Sequence, residues 1–189
     1  VDPPETVDRL VSLAARAAPD VRNAIAFRLL SWPWRRDEVP EAVLELARAL
    51  LRGDRSDFSS NPIGLLLQHG TPGDWALVER MIEDHSPLRA SAVWPLQSIA
   101  SPEADRLLRL LAEDSDPSVR QTALNVLLER GETELVERIL LEQLANDTVD
   151  YGSTESLLVR IGTDRAIDAV LERVRRGTAR EWSGAVSAI

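Results

Sequence analysis

The sequence predicts an all-α protein built from about six repeated helical hairpins, and three observations support this fold class. Residues that close an apolar stretch lie 30 or 31 positions apart, at Gly70, Ala100, Gly131 and Gly162. Proline-containing helix starts precede several of these stretches. Apolar residues recur three and four positions apart, as in Leu107, Leu108 and Leu111, and no segment alternates as a strand would.

The helices are predicted in order along the chain. The less regular N-terminal part contains helices over 4–17, 19–31, 40–51 and 61–70, with a linker, SWPWRRDEVP, after the second of them. In the regular part, second helices begin near 86 and 117 and end at Ala100 and Gly131, and another ends at Gly162. The first helices of these hairpins are predicted over 75–84, 102–114, 134–144 and 165–176.

Residues with known end preferences mark the predicted helix boundaries. Ser86 and Asp116 are good N-caps, and each precedes a proline at the first helical position, where a missing N–H costs nothing. Thr71, Ser101 and Thr163 are placed to cap first helices in the same way. Gly70, Gly131 and Gly162 are predicted to end helices in the left-handed conformation, which glycine adopts readily.

The pattern P-x-V-R-x-x-A-x-x-x-L followed by a glycine, read from residues 117–131, resembles the short HEAT-like repeats of bacteria, including the PBS-lyase HEAT-like repeats. The resemblance implies a right-handed α-solenoid whose second helices line a concave face. We interpret residues 1–189 as a single repeat domain. It has two degenerate repeats over 1–70, clear repeats over 71–162 and a terminal, truncated repeat over 163–189.

The composition narrows the function classes. A formal net charge of −9 opposes binding to phosphate backbones, so nucleic acid is not expected as a partner. The chain has no cysteine, and its two histidines, His69 and His85, lack the spacing of a metal site, so no metal or cofactor is predicted. No nucleophile elbow or phosphate loop is present, and no apolar run is long enough for a membrane helix. We therefore expect a cytoplasmic protein without catalytic residues, and the resemblance to HEAT-like repeats implies a bacterial one.

Arginine occurs at matched positions in the first turn of three second helices, at Arg22, Arg89 and Arg120. A cation is unfavourable there because it lies near the positive end of the helix dipole, so each charge must be compensated, either by an acidic partner or by a bound anion. The resemblance to HEAT-like repeats implies a ladder of such pairs between hairpins. The candidate partners are Asp84, Asp114 and Asp116.

The candidate binding residues lie on the second helices. Five positions after the arginine, Phe27, Trp94 and Asn125 occupy the flank opposite the core positions, and the spacing of the closing residues places Gly64 and Ser156 there in two other hairpins. This flank is predicted to face the concavity, where an exposed tryptophan can anchor a partner. The full set of tentative contacts is Phe27, Trp94, Gln97, Gln121, Asn125 and Ser156.

An alternative interpretation of Trp94 is that it fills the gap opened by Pro95, a proline inside a helix. Trp32 and Trp34, in the linker, are expected to fill the joint between the first two hairpins.

Two functions are compatible with this sequence. The first is a non-enzymatic scaffold that binds a protein or peptide on its concave face. The alternative is an enzyme on a HEAT-like fold, similar to the phycobilin lyases or to the alkylpurine DNA glycosylases. The last segment, REWSGAVSAI, ends without a closing glycine, so we expect either a continuation beyond Ile189 or another chain packed there. The sequence leaves the oligomeric state open.

Overall fold

The computed structural model describes residues 3–35, 38–52, 62–145 and 153–176, except for the side chains of residues 3–5, 19 and 153. These ranges contain helices and no strand, which confirms the predicted all-α class. The α-helices are α1 (Pro3–Arg16), α2 (Pro19–Leu30), α3 (Glu41–Arg52), α4 (Pro62–His69), α5 (Pro72–Glu83), α6 (Val93–Gln97), α7 (Pro102–Leu111), α8 (Pro117–Glu129), α9 (Thr133–Ala145), α10 (Ser153–Ile161) and α11 (Asp164–Arg176). A 3₁₀ helix, Pro87–Ala92, precedes α6. The predicted C-terminal end, 177–189, lies outside the described residues.

The chain divides into two compact units, Val1–Leu107 and Leu108–Ile189. In the first unit α1 packs on α2 and α3, α3 packs on α4, and α4 packs on α5, the 3₁₀ helix and α6. In the second unit α9 packs on α8, α10 and α11, and α10 also packs on α11. The helices named here therefore pack mainly on near neighbours along the chain, as expected for successive hairpins. The single repeat domain over 1–189 and its internal boundaries remain predictions.

The core follows the predicted apolar period. Six residues for which the apolar period predicts burial are each 3% exposed or less, which confirms the helical register: Leu107, Leu111, Val119, Ala123, Val126 and Leu127. Large side chains fill both units, with Leu66 and Leu96 completely buried in the first and Leu140 and Leu158 in the second. Burial of such a side chain contributes about 1.5 to 3 kcal/mol.

The predicted N-caps are confirmed. The Asp116 carboxylate accepts a hydrogen bond from the Ser118 backbone N–H at 2.9 Å, and the Ser86 hydroxyl accepts one from the Leu88 N–H at 3.3 Å. Thr71 forms a capping box with Asp74 at the start of α5. Thr163 caps α11 by accepting from the Ala166 N–H at 3.1 Å.

The closing glycines differ from one another. Gly131 and Gly162 have φ angles of 84° and 72°, as predicted for the left-handed position. The prediction for Gly70 is wrong, because its φ is not positive. A Cβ atom at Gly70 would lie 2.4 Å from the Leu66 carbonyl oxygen and 2.6 Å from Oδ2 of Asp74. Glycine is needed there because of close approach. A left-handed residue that the sequence did not indicate, His85 (φ 53°), ends α5.

The second helix of the third hairpin is broken, whereas a continuous helix was predicted from Ser86 to Ala100. A proline at position 95 cannot donate to the Ser91 carbonyl, and its ring would clash with that carbonyl in a continuous α-helix. The chain instead forms the 3₁₀ helix Pro87–Ala92, and α6 begins at Val93, so Pro95 lies in its first turn. The missing N–H costs nothing there.

A buried ion pair joins the second and third hairpins. Arg48 on α3 donates from Nε to Oδ1 of Asp74 at 2.6 Å and from Nη2 to Oδ2 at 2.8 Å. The remaining guanidinium nitrogen donates to Glu41 and Glu45. Asp74 also accepts from the Thr71 N–H and hydroxyl. With Arg48 8% exposed and Asp74 3% exposed, this cluster satisfies both buried charges.

Other first helices carry similar links. Arg106 on α7 binds Glu79 on α5 through two hydrogen bonds, and Arg109 on α7 binds Glu132, just before α9, at 3.1 Å. The Thr163 hydroxyl, which caps α11, donates to the buried Glu137 on α9 at 2.6 Å. From α3 onward, each first helix is thus joined to the next by a polar side-chain contact.

We expect Arg48→Ala and Asp74→Ala each to lower the free energy of unfolding by about 3 to 5 kcal/mol, because either change leaves a buried charge unpaired. Urea denaturation measures this loss. Arg109→Ala is the control, since its pair with Glu132 is much more exposed and should contribute less than about 1 kcal/mol. Equal losses for all three variants would contradict the special role of the buried pair.

The same pair predicts acid sensitivity. Hydrogen bonding to Arg48, opposed by burial and assisted by Thr71, lowers the pKa of Asp74 from 3.8 to about 2. A carboxylate with a depressed pKa stabilises the fold fully above its unfolded pKa, and this contribution is lost as the pH falls toward 2. We expect the stability difference between wild type and Asp74→Asn to shrink by about 2 kcal/mol between pH 5 and pH 2. Urea denaturation across this pH range measures the difference. A stability difference that stayed constant would contradict the depressed pKa of Asp74.

Candidate binding surface

Trp94 projects from a firmly held helix. Its neighbours Val93 and Leu96 are completely buried, and Pro95 is buried as well. Because successive residues of a helix point about 100° apart, burying this flank directs Trp94 outward. Its side chain is 63% exposed. The explanation of Trp94 as a filler beside Pro95 does not fit a ring in solvent.

The neighbours of Trp94 on its own helical segment are exposed and uncharged. Ser91 and Gln97 lie one turn before and one turn after it, and both are exposed, as are Ala90 and Ser98. None of these four residues carries a charge. This segment therefore presents the indole ring among neutral side chains.

Phe27 is the second exposed aromatic residue predicted for this surface, and 44% of it is accessible. It lies on α2, in the same unit as Trp94 and Gln97. The position matched to them on α4, Gly64, is buried together with Pro62, Ile63 and Leu65. The assignment of Gly64 to the outward flank is therefore wrong, because α4 is short and buries all of its first six residues.

The other predicted contacts, Gln121, Asn125 and Ser156, belong to the second unit. Gln121 and Asn125 are half-buried, and the Asn125 side-chain amide donates to the Gln121 carbonyl oxygen at 3.0 Å. Ser156 is exposed on α10. The role of this set in partner binding stays a prediction.

The matched arginines bind backbone oxygens. Arg120 donates to the Asp114 carbonyl oxygen at 2.7 Å, and Arg89 donates to the carbonyl oxygens of His85 and Ser86 at 3.2 Å. These oxygens lie in the turn before each second helix. The Ser86 oxygen also accepts the Arg89 backbone N–H at 3.0 Å. The two arginines therefore add charged hydrogen bonds to carbonyl oxygens of the turn, which partly offsets their unfavourable position at the helix start.

Arg22, at the start of α2, differs from the other two arginines. Its Nε and Nη2 atoms are buried and have no hydrogen-bond partner among the described residues.

The predicted aspartates serve mainly as local caps in the contacts observed. Asp114 is 5% exposed and accepts from the Asp116 N–H at 2.7 Å, whereas Asp116 caps α8. Asp84 is exposed and lies 3.7 Å from Arg80. The ladder of arginine and aspartate carboxylates between second helices remains a prediction.

Two aromatic residues of the linker lie close together. The ring centroids of Trp32 and Trp34 are 6.4 Å apart, and the Trp34 indole N–H donates to the Leu29 carbonyl oxygen at 2.8 Å. Trp34 is half-buried, as expected for a residue at a joint. Trp32 is 63% exposed, so its predicted role as a filler of the joint is wrong.

The described residues contain neither a candidate metal site nor a candidate membrane span. Among them, no group of three or more acidic or histidine side chains is arranged to hold a metal ion. None of the described helices is both long and apolar enough to cross a membrane.

Arg120→Ala should lower the free energy of unfolding by about 1.5 to 3 kcal/mol, because it removes charged hydrogen bonds to carbonyl oxygens. Arg120→Lys should recover part of the loss, since an ammonium group reaches fewer acceptors than a guanidinium group. Thermal and urea unfolding measure both variants. A loss below about 0.5 kcal/mol would show that water replaces the arginine at little cost.

Comparison with known proteins found a similarity to a repeat family over part of this chain. Residues 76–157, which run from α5 to α10, match the protein family described as HEAT repeats. No curated protein and no solved structure gave a significant match to the chain. The match supports a HEAT-like repeat protein, and repeats of this kind usually mediate contacts between proteins.

Proposed function

We propose that this protein is a binding scaffold that holds a segment of another protein on the exposed flank of its second helices, with Trp94 as the principal anchor. The exposure of the Trp94 side chain, on a helix whose remaining apolar residues are buried, carries the proposal. The HEAT repeat match over 76–157 supports it, because this range includes Trp94.

The anchor is preorganised for binding. Val93 and Leu96 fix the rotation of α6, so the Trp94 backbone has little freedom to lose when a partner binds. Tryptophan offers a large contact area with only two side-chain torsions, which is why it is enriched among the residues that dominate binding energy. Phe27 provides a second apolar contact in the same unit.

The charge of the chain indicates the chemistry of the partner. The neighbours of Trp94 on its own helical segment are uncharged, whereas the whole chain carries a net charge of −9. Long-range electrostatic attraction therefore favours a partner with basic residues, while the neutral surface requires an apolar residue at the centre of the contact. We propose a segment with an apolar anchor flanked by arginine or lysine.

Trp94→Ala should weaken partner binding by about 2 kcal/mol, or roughly 30-fold in Kd, because it removes the central anchor. Its melting temperature should change little, since the ring is largely exposed in the free protein. The partner is first isolated by affinity capture with the wild-type protein, and the Kd is then measured by calorimetry with the purified partner.

Trp32→Ala is the matched control for this experiment. Trp32 has the same exposed fraction as Trp94, 63%, but lies in the linker between α2 and α3. It should leave the Kd unchanged. If Trp94→Ala leaves the Kd unchanged, or if both variants weaken binding equally, Trp94 is not the specific anchor.

A further inference from the structure

An apolar groove lies between α1 and α2, on the first hairpin. Its volume is about 520 Å³, and its lining is formed by Leu10, Asp20, Val21, Ala24, Ile25 and Arg28. Val21 is 49% exposed, and Leu13, one turn after Leu10 on α1, is 53% exposed. Exposed aliphatic residues grouped in this way are unfavourable in water unless another surface covers them.

The lining residues of α2 form an ordered pattern. Asp20, Ala24 and Arg28 are four residues apart and so lie in one row along the helix, with Val21 and Ile25 in the row beside it. An acidic residue stands at one end of the first row and a basic residue at the other. The smallest of the three side chains, Ala24, stands at the midpoint.

The two charges at the ends of this row complement the α2 dipole but have no side-chain partner among the described residues. Asp20 and Arg28 are exposed, and neither forms a side-chain hydrogen bond or an ion pair within the described ranges. Eight residues of α-helix separate them by about 12 Å, so they cannot pair with each other. The charges are therefore available to a surface that approaches the groove.

We propose that α1 and α2 form the contact surface of a symmetric homodimer, in which the α2 helices of two copies pack antiparallel about Ala24. A two-fold axis at Ala24 places Asp20 of one copy opposite the partner subunit's Arg28, and the reverse pair forms by symmetry. The small Ala24 side chains allow the helices to approach closely, and Val21, Ile25 and Leu13 are covered on both sides. Phe27, three residues after Ala24, borders this face, so it is fully available to a scaffold partner only in the monomer. The row is thus complementary to itself.

The size of the hairpin sets the expected affinity. Helices of 14 and 12 residues are about 20 Å long, and two of them side by side present a face of roughly 400 Å². Two such faces in contact bury roughly 800 Å² in total, below the roughly 1,200 to 2,000 Å² of stable specific interfaces and in the range of weak, transient ones. We therefore expect a reversible dimer with a Kd of roughly 1 to 100 μM.

Sedimentation velocity of the purified chain, from 1 to 500 μM, tests the dimer directly. The expected result is a shift from monomer to dimer with increasing concentration. A monomer throughout would overturn the proposal and leave the groove to a partner of a different sequence. Because no binding partner is added, this outcome is separate from the failure of the proposed scaffold function.

Charge reversal then tests which face forms the dimer. Asp20→Arg and Arg28→Asp should each raise the dimer Kd at least tenfold, because like charges then face each other. An equimolar mixture of the two variants should dimerise again, since each copy supplies the charges that the other requires. The double variant D20R/R28D should also recover dimerisation, because it exchanges both members of each pair.

Controls separate this interface from general effects of charge. Arg80→Asp, on α5, changes the net charge by the same amount as Arg28→Asp and should leave the dimer intact. Circular dichroism melts establish that each variant is folded. If Asp20→Arg is not folded, Asp20→Asn replaces it, and if Arg28→Asp is not folded, Arg28→Gln replaces it. Each of these milder changes should weaken the dimer. Dimers that persist in all folded variants, or single variants that do not recover in the mixture, would overturn the proposal.

Discussion

The buried pair of Arg48 and Asp74 sets the geometry at the start of the third hairpin. Asp74 accepts hydrogen bonds from the guanidinium group and from the N-cap residue Thr71, so one carboxylate both starts α5 and joins it to α3. The backbone at Gly70 must pass close to this carboxylate, and this requirement excludes any side chain there. The start of α5, its contact with α3 and the glycine at position 70 thus all depend on one ionised carboxylate.

Polar links between first helices have a consequence for the second helices. Where Arg48, Glu79 and Glu137 join one hairpin to the next, the exposed flank of the second helices is not needed to hold them together. Side chains on that flank can change with little effect on the fold. The exposed aromatic rings of Trp94 and Phe27 lie on this less constrained surface, which is where we propose that a partner binds.

The helices, their order and most of their ends could be predicted from the sequence, because these depend on local rules. Apolar period, N-cap residues and prolines at the first helical position all act within a few residues, and Ser86, Asp116 and Thr163 followed them. Pro95 was an exception. A proline at this place can either interrupt the hydrogen bonds of a continuous helix or mark the start of a new one, and local rules do not decide between the two. His85 was another, because left-handed residues other than glycine leave little signal in a sequence.

The polar links were not found from the sequence for a different reason. A repeat search aligns equivalent positions about 31 residues apart, whereas Arg48 and Asp74 are 26 residues apart and occupy different positions of their repeats. Glu137 and Thr163 share this separation of 26. A search for opposite charges or hydrogen-bonding residues at this shorter distance, from the middle of one first helix to the start of the next, would have found them.

These separations also have a consequence for how the chain folds. The links between first helices span only 23 to 27 residues, so each forms after closing a short loop. Chains dominated by such local contacts have a low contact order and fold quickly, and in repeat arrays folding can begin in one hairpin and spread to its neighbour. The contact at Asp74 would then form only after α3 has folded, because the Asp74 carboxylate can be desolvated only when Arg48 on α3 is in place to supply hydrogen bonds instead of water.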